Sequence, residues 1–171
     1  AVTIESTGYF VKTPHVPPMP DVFINELSLN TGNIDARKPV IGQSVLKTPL
    51  SIHANKYEKG IGTQAPSFLT YDIKPEYTAF VAQCGIDDYV RDRNFGREKA
   101  KFPSVHFKVF IDGKLVGESP LMRNSHWPWS FTIPIPKGSR VINLVATDGG
   151  DGNRYDYADW VNAGFVVEKN K

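Results

Sequence analysis

Residues 105–117 read VHFKVFIDGKLVG. Val105, Phe107, Val109 and Ile111 alternate with His106, Lys108 and Phe110, so a strand over Val105–Ile111 turns those four apolar side chains to one face. Asp112-Gly113 follows at once, and this pair between apolar runs is the strongest short signal for a two-residue hairpin. Lys114–Gly117 is then the return strand. A half-buried antiparallel hairpin is therefore the nucleus of the fold.

Reading outward, the same grammar recurs. Phe68–Ile73 (FLTYDI) and Tyr77–Gln83 (YTAFVAQ) are strands, as are Trp129–Ile135, Arg140–Ala146 and Ala163–Val167. Val22–Leu29 (VFINELSL) is a first strand, and Ile52 to Gly62 reads as a strand, a turn and a return. No window sustains a 3.6-residue period over three turns. About eight short strands at turn-rich intervals predict an all-β, jelly-roll β-sandwich of antiparallel strands. Tyr9–Val11 is a possible further strand. Pro14–Pro20 (PHVPPMP) predicts an extended connector, so residues 1–20 form an extension and residues 21–171 the folded domain. Ala1 is not an initiator methionine, as expected of a processed or excised chain.

Composition excludes several classes. The 171 residues are 40% hydrophobic and 12% aromatic, which is too apolar for a disordered chain. No stretch approaches about 18 uncharged apolar residues, so no membrane span is expected. Twenty basic against 18 acidic residues give a net charge of +2 and no electrostatic reason to expect nucleic acid. A single cysteine rules out internal disulfides and a multi-cysteine zinc site.

Three loops interrupt the strands: Asp87–Ser104, Pro120–Pro128 and Asp148–Trp160. They carry no G-x-S-x-G, H-E-x-x-H or P-loop pattern. Cys84 ends an apolar strand without an adjacent base and reads as a buried structural thiol. His15, His53, His106 and His126 lack ligand spacing. Asp87 and Asp88 are adjacent, and adjacent strand residues point to opposite faces, so a catalytic pair would need a bulge or turn there. No catalytic residue is assigned.

The loop Asp148–Asp159 departs from an EF-hand, with Gly150 and Gly152 at its third and fifth positions and Asn153 at its sixth. A calcium site of another type near Asp148, Asp151 and Asp156 stands beside the plainer reading, a tight turn with solvated acids. Sugar binding needs flat aromatic faces and forked polar groups. Trp127, Trp129, Tyr155, Tyr157 and Trp160 lie in or beside the loops, although Trp129 and Trp160 serve equally as core anchors.

Four segments, in order and spacing, carry a resemblance: KGIGTQAPS at 59–67, GIDD at 85–88, FKVFIDG at 107–113 and TDGGDGNRYDYADW at 147–160. Together they resemble the NPCBM family, carbohydrate-binding module family 51, over about Val22 to Val167. The resemblance implies a non-catalytic jelly-roll module appended to secreted bacterial glycoside hydrolases. It implies binding of galactose-type sugars, often with a structural calcium. A secreted, periplasmic or cell-surface location follows, with a catalytic glycoside hydrolase domain in the same chain as partner. Gln64 stands where the family usually has His. Asp87 and Asp88 match its acidic pair, and Asn153, Tyr155, Asp156 and Asp159 match its last loop. The expected carbohydrate-binding set is Gln64, Asp87, Asp88, Trp127, Asn153, Tyr155 and Asp159. The long loop is more basic than usual, and Arg91, Arg93, Arg97, Lys99 and Lys101 read either as favouring an acidic sugar or as a solvated loop. A docking sandwich without a sugar site, or a small glycosidase, are the alternatives.

Overall fold

The computed structural model describes residues 16–31, 37–92, 103–124, 126–150 and 152–169. In chain order the strands are β1 (Val22–Phe23), β2 (Asn30–Thr31), β3 (Val40–Ile41), β4 (Leu50–Ile52), β5 (Asn55–Tyr57), β6 (Gly60–Gln64), β7 (Ser67–Asp72) and β8 (Tyr77–Ile86). After the short helix α1 (Tyr89–Asp92) come β9 (Ser104–Ile111), β10 (Lys114–Glu118), β11 (Met122–Arg123), β12 (Trp129–Pro134), β13 (Val141–Thr147) and β14 (Tyr157–Val167). One six-stranded sheet has the order β12-β8-β14-β6-β3 with β1 beside β14. The other has the order β10-β9-β13-β7-β2 with β11 beside β9. Every pairing is antiparallel, and the result is a two-sheet sandwich of jelly-roll type.

The hairpin read first is the one that forms. Val105, Phe107, Val109 and Ile111 all face the core, and Asp112 and Gly113 take φ of +48° and +80°, as a type I′ turn requires. Across the core, Trp160 is fully buried between Phe107, edge-on at 5.2 Å, and Phe131, stacked at 6.1 Å. Trp160 and Trp129 are therefore core anchors. Cys84 is buried between them on β8, in register with both, and burial pushes its thiol pKa up, which suits an inert structural cysteine.

Three elements differ from the sequence reading. Val22–Leu29 is not one strand: β1 stops after two residues and Ile24–Glu26 turns as a 3-10 helix that buries Ile24. The last strand starts at Tyr157, not Ala163, because Tyr157–Val161 pairs with both β6 and β8. Its alternation is hidden by a bulge at Asn162, where φ is +46° and the inward parity shifts from Trp160 to Ala163 and Phe165. Finally, the proline connector is not detached. Pro20 is buried, and Val16–Met19 lie against Ala82, Gln83 and Asn162. The possible strand at Tyr9–Val11 lies outside the described residues.

Glycines let a second layer settle on the outer face of the β8–β14–β6 sheet. A Cβ on Gly62 would sit 2.4 Å from the main chain of Gln43 and Ser44, and one on Gly85 would meet Ile52 at 2.7 Å. The β4–β5 hairpin thereby roofs the sheet, with Leu50 and Ile52 packed on Val161.

Candidate functional site

Gln64 ends β6, Ile86 ends β8 and Tyr157 begins β14. The registers Tyr157↔Gln64 and Ala158↔Ile86 put all three at one end of the sandwich. The expected site residues reach that end in three groups.

The first group is at the surface. Gln64 Nε2 donates to the main-chain oxygen of Asn153 at 2.9 Å, and Gln64 Oε1 accepts from Arg37 Nε at 2.9 Å. The Asn153 side chain is exposed. Tyr155 meets Tyr157 edge-on at 6.4 Å, and Tyr157 meets Tyr89 edge-on at 5.7 Å, over a small apolar cluster containing Val45 and Val90. Tyr155 holds φ of +63°, a conformation that costs an L-residue about 1 kcal/mol or more and is found disproportionately at functional sites. The half-buried Tyr155 ring, packed against buried Tyr157, stands here beside a fixed amide and an arginine.

The second group lies beneath the hairpin. Asp87, Asp88 and Asp159 are 1%, 0% and 0% exposed, so none offers an oxygen to solvent. Asp88 Oδ2 accepts from Ser51 Oγ at 2.7 Å and from Ala54 N at 2.8 Å, and faces Arg91 at 3.5 Å. Asp87 accepts from Tyr89 N at 2.8 Å and Ser51 N at 3.3 Å. Neither Asp159 oxygen makes a well-formed hydrogen bond to an N–H or hydroxyl among the described residues; the carboxyl faces Asp87 and the Ser51 main chain. Burial first, then the hydrogen bond and charge of Asp87, push the Asp159 carboxyl well above the usual carboxylate range. Burial also raises Asp87, against the lowering by its hydrogen bonds. Both shifts favour a proton retained between the two carboxyls.

The third group is the hairpin tip. His53 and Ala54 both take positive φ, +51° and +66°, and the Ala54 amide is tied down to Asp88. This sets the His53 imidazole 4.0 Å from the half-buried Trp127 ring at a 35° tilt. Nearby, His126 Nδ1 accepts from Arg123 N at 3.0 Å, and burial followed by the charges of Arg123 and His53 lowers its pKa. His53 and Arg37 were not among the expected site residues. Arg37 sits in a polar stretch without period. His53 shows only as a bulky residue just after a strand.

Each described acid named for calcium has one oxygen engaged by a backbone amide. Asp148 Oδ1 accepts from Gly150 N at 2.8 Å and Asp156 Oδ1 from Ser104 N at 2.8 Å. Asp151 lies outside the described residues, as do Arg93, Arg97, Lys99 and Lys101. Among the described residues no three His, Cys, Asp or Glu side chains gather as metal ligands.

The NPCBM/NEW2 domain model matches residues 21–166. The chain belongs to the NPCBM/NEW2 domain family. Among solved members, the CBM51 of Clostridium perfringens GH95 in complex with methyl-galactose is 27% identical. It aligns over 85% of this chain and 99% of that one with a TM-score of 0.69. The CBM51-2 and INT domains of C. perfringens ZmpB, in complex with GlcNAc, align over 85% of this chain and 31% of that one at 28% identity and a TM-score of 0.73. The alpha-1,3-galactosidase B of Akkermansia muciniphila is 33% identical over 125 residues, 71% of this chain. This NPCBM domain spans 14% of that enzyme, and 7% of a second relative, from Renibacterium salmoninarum, that is 31% identical over 118 residues.

Proposed function

We propose that this NPCBM domain is a non-catalytic carbohydrate-binding module that holds a galactose-type glycan for a catalytic glycoside hydrolase domain exported with it by a bacterium. The observation that carries the reading is the surface group. Gln64 is held at both ends of its amide on the same end of the sandwich as the partly exposed ring of Tyr155, which packs edge-on against buried Tyr157; this is the pairing of fixed polar fork and flat apolar face that a sugar needs. A module with one such site acts by raising the local concentration of its catalytic partner, so weak binding suffices.

Within the expected set, Gln64, Asn153, Tyr155 and Trp127 are the contacts. Asp87, Asp88 and Asp159 hold the strands and the hairpin tip that carry them. The combined variant Gln64→Ala, Asn153→Ala, Tyr155→Ala is expected to lose at least tenfold in affinity for galactosides on a glycan array while its far-ultraviolet spectrum is unchanged. Undiminished binding by that variant would remove the site from this face. Asn153→Ala alone tests only the exposed amide, because the bond to Gln64 uses the main chain.

Calcium at the Asp148–Asp156 loop belongs to the same reading. It would draw on Asp148, Asp151 and Asp156 with backbone carbonyls and brace the turn that presents Tyr155. EDTA is expected to lower the melting temperature by several degrees and added calcium to restore it. A melt indifferent to both disposes of the metal without touching the sugar reading.

A further inference from the structure

Arg37 is exposed, yet its guanidinium has a set orientation. Its Nε donates to Gln64 Oε1 at 2.9 Å, and Gln64 is itself anchored on the Asn153 carbonyl at 2.9 Å. The positive charge lies close enough to Tyr157 to act on its phenol. The ion pair found among the described residues is Arg91 with Asp88, and Arg37 takes part in none. The described carboxylates of the neighbouring loop are committed to backbone amides, Asp148 to Gly150 and Asp156 to Ser104. Next to Asn153, exposed Arg154 adds a second positive charge. The two Nη groups of Arg37 thus form an oriented pair of donors with no anion among the described residues to receive them. Such a fork matches a carboxylate or sulfate in two parallel hydrogen bonds.

Resting on the carbohydrate-binding reading above, we propose that the glycan taken at this face is acidic, and that the Nη edge of Arg37 receives its carboxylate or sulfate while the sugar ring lies on Tyr155. Gln64 is the positioning residue. Its amide oxygen accepts from Arg37 at any pH, whereas an imidazole in its place would become a double donor on protonation near pH 6.5 and repel the guanidinium.

The test is calorimetric titration of the 171-residue chain with methyl-galactoside, methyl-galacturonide and galactose 6-sulfate in 50 mM and 500 mM NaCl. At low salt the acidic probes are expected to bind at least tenfold more tightly than methyl-galactoside, with the advantage shrinking at high salt. Which acidic probe leads distinguishes carboxylate from sulfate. Arg37→Gln is expected to bring the acidic-to-neutral ratio to about one and Arg37→Lys to an intermediate value. Arg140→Gln, the same charge change at the opposite end of the sandwich, leaves the ratio where it was. Methyl-galactoside binding as tightly as the acidic probes, or a ratio untouched by Arg37→Gln, overturns the proposal and leaves the sugar reading standing. A glycan array on which neither neutral nor acidic sugars bind overturns both.

Discussion

Asp159→Asn is expected to make the domain more stable than the parent chain at pH 8 and to leave the two nearly equal at pH 4–5. The parent Asp159 keeps its proton in the fold, where burial and the facing Asp87 raise its pKa, and loses it above about pH 4 when the chain unfolds. The native state therefore binds more protons than the unfolded state above that pH. Stability from this group is fully present below the unfolded value and falls as pH rises, at up to about 1.4 kcal/mol per pH unit, until the folded carboxyl ionises. An asparagine cannot ionise, and its NH2 replaces the shared proton as the donor to Asp87. Urea melts of both chains from pH 4 to 9 measure this. Their difference cancels the opposite trend of His126, whose lowered pKa costs stability as pH falls below about 6.5. Parallel curves would mean that the Asp87–Asp159 pair does not hold the proton.

Gly62→Ala is the second large effect. Its added methyl would stand 2.4 Å from the Gln43 oxygen and from the Cα and carbonyl carbon of Ser44, all main-chain atoms that cannot rotate away. The loop Gly42–Thr48 must lift from the sheet. Overpacking of this kind costs about 1–3 kcal/mol, or a fall in melting temperature of roughly 2–12 °C for a domain of this size. Gly113→Ala is the comparison. That position has φ of +80° but nothing within 4 Å, so it isolates the backbone cost, about 1 kcal/mol. If the two variants melt together, the roof is not seated on Gly62 as described. Because Val45 in the same loop supports Tyr157, Gly62→Ala should weaken sugar binding as well.

How much of this was legible in the sequence depends on which force sets each feature. Alternation set by a single buried face, as at Val105–Ile111, reads directly. The start of β14 did not, because its glycine, acid and tyrosine content looks like a loop and its bulge at Asn162 breaks the period. The connector at Pro14–Pro20 looked extended; what composition could not tell is that Gly164 leaves a seat for Pro20. In the site, the motif containing Gln64, Asn153 and Tyr155 was visible, and these residues are brought together. Asp87, Asp88 and Asp159 looked like loop acids open to a ligand. The burial of Asp87 and Asp88 rests on donors from Ser51, Ala54 and Tyr89, distant or backbone groups that no local pattern announces, and that of Asp159 on its place in β14 facing Asp87. Arg37 was invisible for the same reason: its place depends on a hydrogen bond across 27 residues of chain.

The final strand has a mechanical consequence. From Tyr157 to Val167 it advances about 3.3 Å per residue, so its two ends stand roughly 30 Å apart. Tyr155 sits just before one end, and the polypeptide leaves from the other, clamped there by the bond from Val167 N to Asp21 Oδ2 at 2.9 Å. A tether attached after Val167 pulls on the pole opposite the ring faces. On the sugar reading proposed above, an enzyme joined there would trail behind the ring face instead of shading it, and tension along the chain would be borne by sheet hydrogen bonds before it reached the loops at the far pole.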